Sequence, residues 1–169
     1  TMAAVTDAQG EAQMDVYRAA YTLPQGDLEA VRYQAREEIA MKKMLDEHGC
    51  MAFSITFQDL YGMKQLPGLA SQHLMAIGYG YGGEGDWKVS AMTAIMKAMG
   101  AGKAGGTAFM EDYTYHMVKD NPLSLGAHML EVCPSIAQDK PRIEVHQLGI
   151  GDREDPARLE EAPCRMKQD

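Results

Sequence analysis

Apolar positions recur at helical spacing in several stretches of this chain, and short apolar runs lie between them. Leu28, Val31, Ala35 and Ile39 follow Asp27, a residue suited to capping, and the pattern continues through Met44 to a stop at Gly49. That predicts a helix with Glu37, Glu38, Lys42 and Lys43 mostly on its wet side. Residues 51–57 are short, apolar and rich in β-formers, which predicts a buried strand. Pro67 and Gly68 open a second amphipathic helix through Leu69, His73, Leu74 and Ile77, ending at Gly78. Residues 79–83 read as a short strand or its exit loop, and Asp86 is placed to cap a helix carrying Val89, Met92, Ile95, Met96 and Met99. Strand alternating with helix favours a parallel sheet with helices on its faces. The first 26 residues are weakly patterned, with one short helix expected around residues 13–20.

At residues 100–106 the pattern changes. Ala101-Gly102-Lys103-Ala104-Gly105-Gly106 is flexible punctuation, and residues 107–117, 125–132 and 142–148 after it are strand-like. We therefore expect an α/β domain over residues 1–103 and the start of a β domain over residues 104–169. The tail from Gly149 is polar and turn-rich, and it reads as a chain that stops before its second domain is complete.

Composition narrows the function classes. With 16 basic and 24 acidic side chains the formal net charge is −8, which suits neither nucleic acid nor anionic lipid and leaves small neutral ligands as the natural partners. No stretch approaches the length of a membrane span, and no basic-then-apolar leader opens the sequence, so a cytoplasmic protein is expected. Cys50, Cys133 and Cys164 show no CxxC spacing and read as reduced, partly buried thiols. The 14 methionines read mainly as core filler.

The candidate chemistry lies in three segments. Gly82-Gly83-Glu84-Gly85-Asp86-Trp87-Lys88, Phe109-Met110-Glu111-Asp112-Tyr113-Thr114-Tyr115 and Gly126-Ala127-His128-Met129-Leu130-Glu131 set two carboxylates and an imidazole among glycines and aromatics. Carboxylate oxygen with neutral imidazole nitrogen suits a divalent ion such as Mn²⁺ rather than structural zinc. A hairpin turning at Lys119-Asp120-Asn121-Pro122 puts Glu111 opposite His128, with Cβ atoms about 5 Å apart. A slip of one residue would separate them. Glu84 falls outside the carboxyl end of a strand, where ligands collect in open α/β sheets.

Each residue also has a plainer reading: Glu84 as a solvated first-turn acid, His128 as a satisfied core histidine. Glu111 resists one, because a carboxylate in an apolar and aromatic strand is costly to bury without a partner. His48, His73, His116 and His146 read as surface or structural. Gly80-Tyr81-Gly82-Gly83-Glu84-Gly85 also matches the G-x-G-x-x-G of a dinucleotide-binding domain. Glu84 would then put a negative charge in a loop that cradles pyrophosphate, so this is the minor alternative.

Long motifs carry a resemblance. Phe57-Gln58-Asp59-Leu60-Tyr61-Gly62-Met63-Lys64-Gln65-Leu66-Pro67-Gly68-Leu69-Ala70, the Glu84 segment, residues 109–116 and 126–137, and Leu148-Gly149-Ile150-Gly151 closely resemble L-arabinose isomerase. The resemblance implies a Mn²⁺-dependent aldose-ketose isomerase converting L-arabinose to L-ribulose, another divalent metal being a substitute. It also implies a homo-oligomer and a fucose-isomerase-like architecture, in which a Rossmann-like domain precedes a C-terminal β-barrel. By the same resemblance Glu84 and Glu111 are metal ligands and acid-base groups, His128 is a metal ligand, and Phe57 contributes to the sugar pocket. A further N-terminal domain and a second metal-binding histidine are implied outside these residues, and Tyr61 and His73 stand where His and Arg are usual. Weak metal binding and little activity are therefore expected of the chain alone. A non-catalytic folding or oligomerisation module is the alternative.

Overall fold

The computed structural model describes residues 1–56, 60, 62–145 and, for the backbone, 165–167. Two helices, α1 (Asp7–Ala20) and α2 (Leu28–Glu47), lead into β1 (Ala52–Ile55), α3 (Gly68–Ala76), β2 (Gly80–Gly83) and α4 (Trp87–Gly100). A hairpin of β3 (Glu111–His116) and β4 (Leu123–Ala127) follows, then β5 (Arg142–Glu144) paired antiparallel with β6 (Arg165–Lys167). The protein is thus mixed α/β with a small parallel sheet, in which Ala52 pairs with Gly80 and Ile55 with Gly83.

Local chemistry explains the helix starts. Thr6 and Gln9 form a reciprocal capping box at α1, which begins earlier than its weak apolar pattern suggested. Asp86 accepts from the Val89 backbone N–H at 2.9 Å and caps α4. Asp27 precedes α2 as expected but sits in the left-handed region with φ 55° and makes no side-chain cap bond.

Four expectations need correction. Glu37 and Glu38 are not on the wet side of α2: they are 1% and 2% exposed. They are buried because α1 and α3 pack against α2 there, and for Glu38 those helices supply polar partners. Tyr17 donates to Glu38 Oε2 at 2.5 Å, Gln13 donates to Oε1 at 3.1 Å, and His73 Nδ1 meets Oε1 at 2.6 Å. Helix α3 is not amphipathic, since every residue from Gly68 to Met75 is buried. On α4 the stripe of Met92, Ile95, Met96 and Met99 faces solvent, and the buried residues are Ser90 and Thr93. The reason is the glycine strand beneath it. A Cβ on Gly80 would stand 2.2 Å from the Ser90 carbonyl oxygen, and one on Gly82 would stand 2.6 Å from that of Asp86. Contact that close requires a helix face of small residues, which turns the large apolar ones outward. With Met44, Met51, Met110, Met117 and Met129 also exposed, the methionines are not mainly core filler.

The core runs across residues 100–106. Met14, Tyr17, Tyr21, Val31, Ala35 and Leu69 pack with Val132 and Ile143 in one buried cluster. Thr22 and β5 exchange backbone hydrogen bonds through Pro141 and Ile143, at 2.8 and 2.9 Å. Lys97 of α4 donates to the Thr107 carbonyl at 2.8 Å and approaches Cys133 Sγ at 3.2 Å. Among the described residues, no helix is long and apolar enough to cross a membrane.

Candidate functional site

A small cavity of about 90 Å³ lies where β2 ends against the hairpin. Glu84, Glu111 and His128 all line it, with Tyr81, Tyr113 and Glu131 among its other walls. Glu84 is held in the turn from β2 to α4 with φ 55°, followed by Gly85 at φ 84°. A non-glycine residue there is uncommon and worth a functional question. Gly83 leaves room for its neighbours: a Cβ would meet the Phe109 ring at 3.4 Å and Glu111 Oε1 at 3.8 Å.

The hairpin register differs from the expected one. Toward the turn, Thr114 pairs with Leu125 and His116 with Leu123, a register that, continued, would oppose Glu111 to His128. An irregularity between Asp112 and Thr114 leaves Tyr113 as an extra residue, so Glu111 pairs with Ala127 instead. His128 lies one position past the end of β4, beyond the reach of strand alternation. Its ring packs edge-on against Phe109 at 4.8 Å between centroids. In consequence Glu111 and His128 still face each other, with 3.9 Å between Oε1 and Nε2.

His128 is largely buried, and burial pushes its imidazole below the ordinary value, opposed by the charge of Glu111, the backbone of Glu131 and the charge of Glu84. Its Nδ1 lies 3.5 Å from Glu131 Oε2, within ion-pair reach but without hydrogen-bond geometry, and is left without a partner. Glu131 is 3% exposed, and burial raises its carboxyl to about 7 against the opposing pull of its own backbone and the Tyr81 hydroxyl. Among the described residues, no three of His, Cys, Asp and Glu are gathered closely enough to hold a metal ion. Glu111 and His128 form a close pair, while Glu84 shares the cavity and its electrostatic influence.

Residues 1–102 match the family model described as L-arabinose isomerase central domain, and residues 106–162 match that of L-arabinose isomerase C-terminal domain. The chain belongs to the L-arabinose isomerase family. It is 54% identical over 158 residues to an L-arabinose isomerase of Thermotoga petrophila, covering 92% of this chain and 32% of that protein. An L-arabinose isomerase of Salmonella enteritidis is 55% identical over 163 residues, covering 92% and 33% respectively. L-arabinose isomerase 1 of Bacillus licheniformis is 58% identical over 145 residues, covering 85% and 29%. The chain thus spans about a third of the length of these relatives.

Phe57 and His146 lie outside the described residues. His48 and His116 are exposed, and neither lines the cavity. Of the glycines of the G-x-G-x-x-G match, Gly80 and Gly82 have a packing reason in the close approach of α4, and Gly85 a backbone reason in its φ of 84°, neither of which needs a nucleotide. Sequence reasoning missed Glu131 and Tyr81. The signal for Glu131 was present: a carboxylate between Leu130 and Val132 calls for a partner for the same reason Glu111 does.

Proposed function

We propose that this chain supplies part of the active site of an aldose-ketose isomerase that converts L-arabinose to L-ribulose through an ene-diol. The observation that carries the reading is the shared cavity of Glu84, Glu111 and His128 in a member of this family. Glu84 and Glu111 act as the acid-base pair, moving protons between C1, C2 and their oxygens. Glu111 and His128, the close pair, would hold a divalent ion, Mn²⁺ in the first instance, and Glu84 of the same cavity would have to draw nearer to them to be its third ligand. The donor chemistry fits. The 3.9 Å between Glu111 Oε1 and His128 Nε2 is too long for a hydrogen bond and shorter than two metal-ligand distances of about 2.1 Å each. When bound, the ion polarises the sugar's carbonyl and hydroxyl oxygens and makes the carbon-bound proton more acidic.

The chain's residues do the rest. Burial of His128 favours the neutral ring, the form that can donate a lone pair. Gly83, lacking a side chain, leaves the Glu111 carboxylate room at the cavity wall. Phe57 belongs to the sugar pocket in this reading, and a cytoplasmic homo-oligomer with a Rossmann-like central domain over residues 1–103 and a C-terminal β-barrel beginning at residue 104 completes it. Because about two thirds of the relatives' length lies beyond this stretch, weak metal affinity and little turnover are expected of the chain alone.

Mn²⁺ titration of the chain and of Glu84→Gln tests the reading. Binding that weakens about tenfold or more in the variant supports it. Absence of binding, or binding indifferent to Glu84, would favour a non-catalytic module instead.

A further inference from the structure

Helix α4 carries its large apolar residues on the side away from the protein. Trp87 is 70% exposed, Met92 55%, Ile95 52%, Met96 45% and Met99 65%. The inner side is given to Ser90 and Thr93 against the glycine strand, and α4 packs mainly on β1 and β2. Lys88, Met92, Ile95 and Met99 recur at the spacing of a coiled-coil seam, so the last three form one ridge along the helix. A single exposed apolar residue is ordinary, but a contiguous row on a helix about 20 Å long marks an interaction surface. Methionine, flexible and polarisable, is over-used at such surfaces.

Charge along the ridge says what covers it. Asp86 stands at its N-terminal end and Lys103 just past its C-terminal end, while α4 itself contains no acid. Lys97, the base of the last turn, is engaged with the Thr107 carbonyl at 2.8 Å. A parallel copy of the helix would set like charge against like. An antiparallel copy opposes the helix dipoles, brings Asp86 to the Lys103 end, and sets Lys88 beside the last-turn carbonyls of the other α4. It also lays Met92 against Ile95 of the second copy, apolar against apolar along the whole ridge. The surface is thus complementary to itself, as a two-fold interface must be.

We infer that the outer face of α4 is a homodimer interface, in which two copies of this chain pair α4 antiparallel about a two-fold axis between Met92 and Ile95. Neither residue lines the cavity of Glu84, Glu111 and His128, so the inference goes beyond the isomerase reading and does not depend on it. One helix face offers less than the about 800 Å² per partner of a standard interface, and the dimer is expected to be weak, with a Kd on the order of 10 µM.

Sedimentation equilibrium up to about 200 µM, well above that Kd, reads the association. Met92→Glu should weaken it about tenfold or more, because each copy then buries a carboxylate in the apolar seam. Met92→Glu combined with Ile95→Lys should regain most of that loss, since each new carboxylate faces the new ammonium of the other copy only in the antiparallel pairing. Both positions are exposed, so urea unfolding at low protein concentration should show the same midpoint in all three proteins. A wild-type monomer at about 200 µM, a dimer indifferent to Met92→Glu, or no recovery in the double variant overturns the inference. Mn²⁺ titration separates it from the isomerase reading: a rescued dimer whose Mn²⁺ binding ignores Glu84 keeps the interface and loses the isomerase, and a monomer that binds Mn²⁺ through Glu84 does the reverse.

Discussion

Glu38 and His73 meet at 2.6 Å between α2 and α3, whereas Glu111 and His128 stand 3.9 Å apart at the cavity. The residue types are the same and the settings opposite. Glu38 is 2% exposed and has Tyr17 and Gln13 as further partners, so its oxygens are satisfied. The Glu111 side chain is 39% exposed, and His128 keeps a buried Nδ1 with no partner. A closed pair holds helices together. An open pair, with donor atoms spaced but not joined, is suited to receiving a third party between them.

The comparison is broken most forcefully from the closed side. Glu38→Ala strands the Tyr17 hydroxyl, the Gln13 amide and His73 in a buried layer, and removing one partner of a buried pair costs about 3–5 kcal/mol. Urea unfolding should record a loss of that size. A loss under about 1 kcal/mol would mean that the helical layer is wet and the pair no more than ordinary.

The neighbouring Glu37 sharpens the same contrast with a pH signature. Its Oε2 accepts from Gln34 at 2.7 Å while Oε1 is without a hydrogen-bond partner, and burial raises its carboxyl from 4.5 to about 9. Between those values the unfolded chain has lost the proton and the folded chain keeps it. The unfolded state then binds fewer protons, so stability falls as pH rises. The contribution is fully present below 4.5 and gone above about 9. In Glu37→Gln, which is neutral throughout, melting temperature should fall less across that window than in wild type. Parallel curves for the two proteins would show that Glu37 is already ionised in the fold.

Much of this architecture is written locally in the sequence, and the two pairs mark where that legibility ends. The order of strand and helix, the Asp86 cap and the stops at Gly49 and Gly78 follow from short-range spacing and backbone preference. The burial of Glu37 and Glu38 does not, because it depends on α1 and α3, whose Tyr17 and His73 the fold alone brings to that face of α2. Helix α4 inverts its apolar face because Gly80 and Gly82 admit only small residues, a constraint carried by a different element. At the site, proximity of Glu111 and His128 was legible and its cause was not. One extra residue at Tyr113 shifts the pairing, and His128, one position past the end of β4, still comes within 3.9 Å of Glu111.

The smallest effect on stability should come from the open pair, and that is its diagnostic value. Glu111→Gln keeps the shape of a partly exposed side chain that makes no hydrogen bond to His128, so unfolding free energy should change by no more than about 0.5 kcal/mol. The same substitution should weaken Mn²⁺ binding about tenfold or more, since it removes the charge that would face the ion. Calorimetric titration and urea unfolding of one protein preparation read both quantities. Loss of stability comparable to that of Glu38→Ala, with Mn²⁺ binding intact, would make Glu111 and His128 a second structural pair and end the distinction between the two regions.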